Sequence, residues 1–270
     1  MTPSFLQLML LFLLYSFLGW CSEVVFAAAT YGKFVNRGFL NGPVCPIYGY
    51  GILMVALLLR PLEHNLPLLF LGSAILTSAV EFLVGFLGEK ILKVRLWDYR
   101  SNPFNLCGYV CLKFSLLWGL ACVFILKLVH PAVADLMIKI PTGIGIVLVS
   151  VFYAVFLADI LVTMIEALKL PKRICAIDEL ERRIRVASDR LGENLSGNTL
   201  NLKAKGERGR EELDEKYHQE IEALRLRYGR LVGQKNYVHN RLIAAFPALR
   251  KGEHSTIIET IQNYERKKRE

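Results

Sequence analysis

Apolar runs of the kind that cross a lipid bilayer fill the first 168 residues of this 270-residue chain. A membrane-spanning helix needs about 20 mostly apolar residues, because the hydrocarbon layer is about 30 Å thick and each residue rises about 1.5 Å. The candidate spans are residues 4–29, 44–59, 66–88, 108–129 and 142–168. The second span is the shortest, and Pro43, Pro46 and Gly49 at its start predict irregular backbone enclosed by other helices.

Charged residues are divided unevenly along the chain. Residues 169–270 hold 23 Lys and Arg and 16 Asp and Glu, whereas the first 168 residues hold only 10 and 8. So small a share over that length is typical of a bilayer-embedded unit and excludes a wholly soluble enzyme. We therefore predict a transmembrane helix bundle over residues 1–169 and a charged, cytoplasmic helical tail over residues 170–270.

The Lys and Arg residues of the short loops predict the orientation, because such residues favour the cytoplasmic side. The loops after the first, third and fifth spans carry nine of them, and the opposite loops carry only Arg60, Lys127 and Lys139. This bias places the amino terminus outside and the tail inside, as five crossings require. The predicted fold class is an all-α, polytopic membrane helix bundle of about five transmembrane helices.

Ionisable side chains inside the predicted spans cost free energy in a bilayer, so each needs a role or a partner. They are Glu23, Glu81, Lys113, Asp159 and Glu166. The predicted topology gathers all of them in the cytoplasmic half of the bundle, with Lys113 or Arg37 pairing with Glu23 or Glu81. Glu166 and Lys113 lie near span ends, where extension of the side chain to the interface is the alternative.

Two unusual loops face the cytoplasm on this topology. Residues 36–51 combine many glycines and prolines, which predicts a shaped, rigid loop. Residues 97–108 combine aromatic rings with Asp and Asn, either as an interfacial anchor or as part of a site that the two loops form together. The candidate polar cluster and inner-loop site comprises Glu23, Trp20, Asn36, Arg37, Tyr48, Glu81, Trp97, Asp98, Tyr99, Asn105, Lys113 and Asp159.

Several motifs in order resemble those of a known family. They are Tyr15-Ser16-Phe17-Leu18-Gly19-Trp20 with Glu23, Asn36-Arg37-Gly38-Phe39-Leu40, Gly42-Pro43, Cys45-Pro46-Ile47-Tyr48-Gly49, Trp97-Asp98-Tyr99, Phe104-Asn105, Cys111-Leu112 and Trp118-Gly119. Residues of about 5–165 resemble the CmpB-like, type IV ABC-transporter permeases of bacterial membranes, whereas the tail lies outside this likeness. The resemblance implies a permease subunit in the bacterial plasma membrane that translocates an unknown substrate.

The chain contains no phosphate-binding GxxxxGK[ST] sequence, so a permease of this kind needs a separate ATP-binding subunit. We expect residues 33–42 and 90–105 to form the surface on which that subunit docks, with Glu23 and Glu81 lining an inward-facing polar cavity. The sequence predicts no enzyme activity, cofactor or metal site. Because five helices make a thin pathway, a homo-oligomer is expected.

Two apolar faces at helical spacing predict a pair of amphipathic helices in the tail, packed as a hairpin or coiled coil. They cover residues 177–195 and 213–231, with a break over 192–198, a link near Gly206 and Gly209, and shorter helices after Asn236. A basic face beginning at Lys172 offers contact with anionic lipid. The acids mixed through both helices argue against nucleic acid as a partner.

Two other functions remain open from the sequence. The chain is alternatively a membrane-anchored scaffold or sensor whose tail recruits partners. A third interpretation is an intramembrane enzyme acting on lipid head groups, with Glu23, Arg37, Tyr48 and Asp98 as acid–base candidates. No nucleophile–base pair or histidine-rich metal set supports this enzyme.

Overall fold

The structure, a computed structural model, describes residues 4–92, 95–200, 207–234, 236–246, 257–261 and 263. These residues are almost entirely helical, which confirms the predicted all-α class. The helices are α1 (Phe5–Tyr31), α2 (Pro46–Leu58), α3 (Leu66–Leu92), α4 (Leu112–Phe124), α5 (His130–Ile138), α6 (Thr142–Leu200), α7 (Glu207–Val232) and α8 (Tyr237–Ala245). A 3-10 turn (Arg60–Leu62), a π segment (Ile125–Val129) and two short strands, β1 (Asn105–Leu106) and β2 (Val110–Cys111), complete the described elements.

Four helical stretches are long and apolar enough to cross a membrane: Phe5–Tyr31, Leu66–Leu92, Leu112–Lys139 and Thr142–Arg190. Helix α2 is also apolar but has only 13 residues, or about 20 Å of helix, which is less than the bilayer thickness. Many large apolar side chains on these helices are exposed, as expected of a lipid-facing surface. The protein is therefore a membrane helix bundle, and the number of five crossings stays a prediction.

Helix α2 runs antiparallel to α1 and α3. At its start, Tyr48 reaches Glu23 in the last third of α1. Near its end, Val55 packs with Leu69 in the first turn of α3. The loops of residues 32–45 and 95–111 therefore lie at the same end of the bundle, where α1 and α3 finish. We call this the inner end and the opposite one the outer end.

Glycines allow two helix pairs to approach closely. A Cβ at Gly19 of α1 would overlap the Tyr48 ring, and one at Gly49 of α2 would overlap Ser16. In the second pair, a Cβ at Gly119 of α4 would lie 3.1 Å from the carbonyl oxygen of Phe70 in α3. The pairs α1–α2 and α3–α4 are thus each locked at a crossing point that admits no larger side chain.

The chain divides into two compact units, Met1–Leu168 with Val238–Leu249, and Lys169–Tyr237 with Arg250–Glu270. The boundary after Leu168 lies next to that expected from the sequence, but the segment that begins at Val238 belongs with the bundle. Helix α6 contains Pro171 and continues to Leu200, so the predicted break over residues 192–198 is wrong. Single glycines in a helix cost only about 1 kcal/mol each and do not end it.

Within the second unit, Arg173 caps the carboxyl end of α7. Its guanidinium donates to the carbonyl oxygens of Leu231, Val232 and Gln234 at 2.9–3.2 Å. The last carbonyl groups of a helix lack partners within the helix, and a cation there also suits the helix dipole. Helices are present where the sequence predicts them, over residues 177–195, 213–231 and after Asn236, whereas Gly209 lies inside α7 and the rest of the expected link falls outside the described residues.

Candidate functional site

Of the ion pairs expected between Lys113 or Arg37 and Glu23 or Glu81, the structure contains that of Arg37 with Glu23. Arg37 Nε lies 3.4 Å from Glu23 Oε2, and each side chain is about three-quarters buried. The other carboxylate oxygen, Oε1, accepts a 2.6 Å hydrogen bond from the Tyr48 hydroxyl. Helix α1 supplies the acid, the following loop the base and α2 the phenol. The three residues, all of them predicted site members, form one buried polar group with no net charge.

Asn36 organises the loop that carries Arg37. Its side-chain oxygen accepts from Trp20 Nε1 at 2.8 Å and from the Gly38 backbone N–H at 3.0 Å. Its amide nitrogen donates to the carbonyl oxygen of Asn41. A single amide group therefore ties the two ends of a short turn together and fastens it to α1, because Asn offers both a donor and an acceptor.

Asp159 holds the same loop from α6. Its carboxylate accepts from the Asn41 and Gly42 backbone N–H groups at 3.1 and 2.7 Å. It also accepts from the Asn41 amide and the Thr163 hydroxyl, at 2.8 and 2.9 Å. A carboxylate with four donors is well satisfied without a cation. Asp159 thus binds the loop rather than lining an open pathway.

Arg241 is a residue of this site that the sequence analysis missed. It lies in α8, is only 8% exposed and donates through all three of its nitrogen atoms. Nε reaches Asn41 Oδ1 at 3.0 Å, and Nη1 and Nη2 reach the carbonyl oxygens of Gly38 and Phe39 at 2.6 Å. The Asn41 side chain consequently bridges Asp159 and Arg241. The tail pattern around Asn236 predicted a helix there, and nothing in it indicated a return to the bundle.

Glu81 of α3 is the second buried acid of the inner end. The residue is 8% exposed, and its Oε1 accepts from the Tyr99 hydroxyl at 3.1 Å. Its Oε2 is buried and accepts no hydrogen bond of good geometry among the described residues. The Trp118 indole is the other polar group near this carboxylate. No Lys or Arg in the described part of the chain comes within ion-pair distance of it.

Tyr99 links the two acids electrostatically. Burial, and then the Glu81 carboxylate, hold the pKa of the Tyr99 phenol well above its usual range, and Glu23 adds a smaller increase. The ring of Tyr48 packs edge-on against Trp118, with centroids 5.5 Å apart. Glu23 and Glu81 therefore share one region at the inner end, separated by the rings of Tyr48 and Trp118.

The remaining members of the second loop shape the loop itself. Trp97 donates to the carbonyl oxygen of Tyr109 at 2.8 Å, and Asp98 accepts from the Arg100 N–H at 3.0 Å. Asn105 donates to the carbonyl oxygen of Asn102 and accepts from the Gly108 N–H. Strands β1 and β2 pair antiparallel through Asn105 and Cys111. These side chains close a small hairpin. An interfacial anchor alone would not require so many internal hydrogen bonds.

A second missed group fastens this hairpin to α3. Arg95 Nε lies 2.6 Å from Glu89 Oε2, which also accepts from the Tyr109 hydroxyl at 2.8 Å. The Arg95 guanidinium lies 4.8 Å from the Tyr109 ring centroid. The sequence placed Arg95 only as a loop charge. Glu89 received no role in the prediction, although an acid six residues before an Arg at the end of a span could have indicated this ion pair.

Lys113 lies outside the cluster that the sequence predicted for it. The residue is exposed, and its Nζ lies 5.8 Å from the centroid of the neighbouring Phe114 ring. Its position in the first turn of α4 lets the long side chain extend outwards to water. At the inner end, Arg37 therefore pairs with Glu23, and Arg241 of α8 binds the loop that carries Arg37.

Comparison with known proteins identifies the family. A family model described as "Putative ABC-transporter type IV" matches residues 10–164, which is more than half of the chain. The chain belongs to this family. The described partners of Glu23, Glu81 and Asp159 lie within the match, whereas Arg241 of α8, which binds Asn41, lies outside it. No curated protein and no solved structure matches the chain.

Proposed function

We propose that this protein is the permease subunit of an ABC-type transporter in the bacterial plasma membrane, where it crosses the bilayer several times and works with a separate ATPase. The observation that carries the proposal is the family match over the bundle. The absence of a phosphate-binding motif from the sequence supports a separate ATPase. In this proposal the chain is not itself an enzyme.

The inner end supplies the docking and gating surface in this proposal. Residues 33–42 and the described part of 90–105 lie there, and the first of these loops is held in one shape by Asn36, Asp159 and Arg241. A fixed backbone suits a protein partner, because little conformational entropy is lost when the partner binds. The exposed Lys33 and Lys90 give this surface its positive charge.

Affinity purification from the native membrane in mild detergent tests the proposal. We expect an ATP-binding chain to co-purify, and we expect Lys33→Glu to weaken this association because it reverses an exposed charge on the docking loop. Lys139→Glu at the outer end is the matched control and should leave the association intact. Purification without any ATP-binding chain would contradict the proposal. The mass of the purified complex tests the proposed homo-oligomer.

A scaffold or sensor is the second candidate, favoured by the contact of Arg241 in α8 with the first loop. Two sets of variants separate the functions. If the protein is a transporter subunit, Glu81→Gln should abolish the growth of cells that depend on the protein and the substrate-stimulated ATP hydrolysis of the complex. The double variant Arg182→Glu with Arg183→Glu on the exposed tail should then have no effect. A scaffold predicts the reverse order, because its function requires the tail surface and not the buried acid.

A further inference from the structure

The outer end of the bundle contains a cavity that the proposed function does not use. Its volume is about 200 Å³, and its walls come from the early turns of α1 and α3, the end of α2 and the π segment. Leu11, Leu53, Ala56, Leu69 and Leu126 make the walls apolar. An apolar cavity of about 150 Å³ in another protein excludes water and binds benzene. A cavity of this size and lining is thus suited to a hydrocarbon group.

Two local features explain why the helices leave this space. Helix α2 ends at Leu58 after about 20 Å, short of a bilayer about 30 Å thick, so its last turn does not fill the outer end. Opposite to it, Pro131 follows the π segment Ile125–Val129. Proline lacks an N–H and clashes with the carbonyl group four residues earlier, and the resulting wider turn moves the helix wall.

The charged and polar residues that line the cavity are Arg60, Glu63 and His130, and the exposed Arg60 and Glu63 mark its rim. Lys127 Nζ lies 3.8 Å from Glu63 Oε1, so that acid already has a cation. Arg60 is exposed and makes no ion pair with another described residue. His130 is oriented by a 2.8 Å hydrogen bond between its Nδ1 and the Tyr15 hydroxyl. The rim therefore offers one uncompensated guanidinium beside an apolar chamber.

We propose that this cavity binds a single-chain amphiphile with an anionic head, such as a fatty acid, that enters from the bilayer. The part of the chain next to the head occupies the apolar chamber, and the head group pairs with Arg60. An Arg with a carboxylate forms two parallel hydrogen bonds, which fixes the head at the rim. The proposal does not depend on the ATP-driven function, because it requires only the folded bundle.

Photolabelling of the full chain tests the proposal. The probe is a long-chain fatty acid with a photoreactive diazirine close to its carboxylate, added to purified protein in phosphatidylcholine nanodiscs. We expect the label to map to residues 53–60 and 126–130. Arg60→Gln should lower this labelling about five-fold, since an exposed ion pair is worth up to about 1 kcal/mol. Lys139→Gln, which removes another exposed cation of the outer end, should not lower it.

A second pair of variants tests the chamber separately from the head group. Ala56→Phe fills the cavity and should abolish the label while Arg60 is unchanged. Ala154→Phe on the exposed surface of α6 is the matched control and should label like the wild type. The proposal is overturned if the label spreads evenly over exposed helix surfaces, if neither Arg60→Gln nor Ala56→Phe lowers it, or if the corresponding fatty alcohol labels equally well.

Discussion

The two loops of the inner end are held in different ways. The first loop, residues 32–45, is fixed by Trp20 of the preceding helix α1 and by two side chains more than 100 positions away, Asp159 of α6 and Arg241 of α8. The second loop, residues 95–111, is fixed largely by its own hairpin and by Glu81 and Glu89 of the preceding helix. The shape of the first loop therefore depends on distant parts of the chain, whereas that of the second depends mostly on neighbouring residues.

This difference has a consequence for stability. A locally held loop keeps its shape when a distant part of the protein changes, because its contacts span few residues. A loop held by residues more than 100 positions away depends on the whole bundle and on α8. Changes in the bundle or in α8 should therefore reach the first loop and spare the second. The following four experiments test this contrast, in order of expected effect.

Thiol labelling should show the largest difference between the loops. Burial, and then the Glu23 carboxylate, raise the pKa of Cys45 in the first loop to about 12. At pH 8 only about one Cys45 thiol in ten thousand is the reactive thiolate. Cys107 in the second loop is exposed. We expect maleimide to label Cys107 more than about 100 times faster, as measured by mass spectrometry of peptides.

The Cys45 rate should rise about ten-fold for each pH unit between pH 7 and 9, because the pKa lies above this range. Protein unfolded in denaturant is the control, in which both thiols should react readily. Similar labelling rates for the two cysteines in the folded protein would contradict the conclusion that distant residues hold the first loop closed around Cys45.

Asp159→Asn should destabilise the protein most among the substitutions. It places an amide among four donors that need an acceptor. Buried donors left without a partner should lower the free energy of unfolding by about 2–4 kcal/mol. Thermal unfolding in detergent measures this loss.

Asp98→Asn is the matched control in the second loop, where the exposed carboxylate accepts one backbone hydrogen bond and lies 3.7 Å from Arg95 Nη1 and 3.8 Å from Arg100 Nε. This substitution should lower the free energy of unfolding by less than about 1 kcal/mol. Equal effects of the two substitutions would remove the distinction between the loops.

Arg241→Lys should loosen the first loop with a smaller loss of about 1–2 kcal/mol. Lysine keeps the charge but cannot reach Asn41 Oδ1 and the carbonyl oxygens of Gly38 and Phe39 together. Hydrogen exchange of the Asn41 and Gly42 amides should quicken, while amides of the second loop stay unchanged.

Arg182→Lys on the exposed face of α6 is the control and should have no effect. Because Asn41 bridges Asp159 and Arg241, the double variant with Asp159→Asn should lose less stability than the sum of the single variants. If the loss of stability in the double variant equals the sum of the two single losses, Asn41 does not couple Asp159 to Arg241.

Tyr99→Phe should have the smallest effect, about 1 kcal/mol, because it removes the single hydrogen bond between this phenol and Glu81. Hydrogen exchange should quicken in the second loop only. Tyr48→Phe is the counterpart at Glu23, where Arg37 still holds the acid. A change that spread from Tyr99→Phe into the first loop would show that the loops are not independent.

The sequence predicted those features that depend on local pattern. Apolar length predicted the helices, and polar residues inside spans pointed to Glu23, Glu81 and Asp159 because such residues need partners. The topology left either Lys113 or Arg37 as the partner of Glu23 or Glu81, and the structure contains the pair of Arg37 with Glu23. What the sequence could not supply was long-range pairing. Arg241 lies in a mixed polar helix, where no periodicity distinguishes a side chain that enters the bundle from one in water.

Lys113 shows a second limit of the sequence. Its place near a span end left open whether it pairs with a buried acid or extends to the interface, because one turn of helix decides whether a flexible side chain points into the bundle or out to water. The break expected at residues 192–198 failed for a similar reason, because local helix-breaking preferences are weak compared with the cooperative continuation of a helix. Side-chain direction and helix ends thus require the three-dimensional packing.

The glycine crossings restrict how the bundle can rearrange. A helix that meets its neighbour backbone to backbone cannot rotate or slide without steric overlap, so Gly19 with Gly49 keeps α1 and α2 together and Gly119 keeps α3 and α4 together. Relative movement is then confined to the seam between the two pairs. Tyr48 and Trp118 meet across this seam, and Glu23 and Glu81 flank it. Any hinge motion of the bundle would therefore change the surroundings of Glu23 and Glu81 before those of other residues.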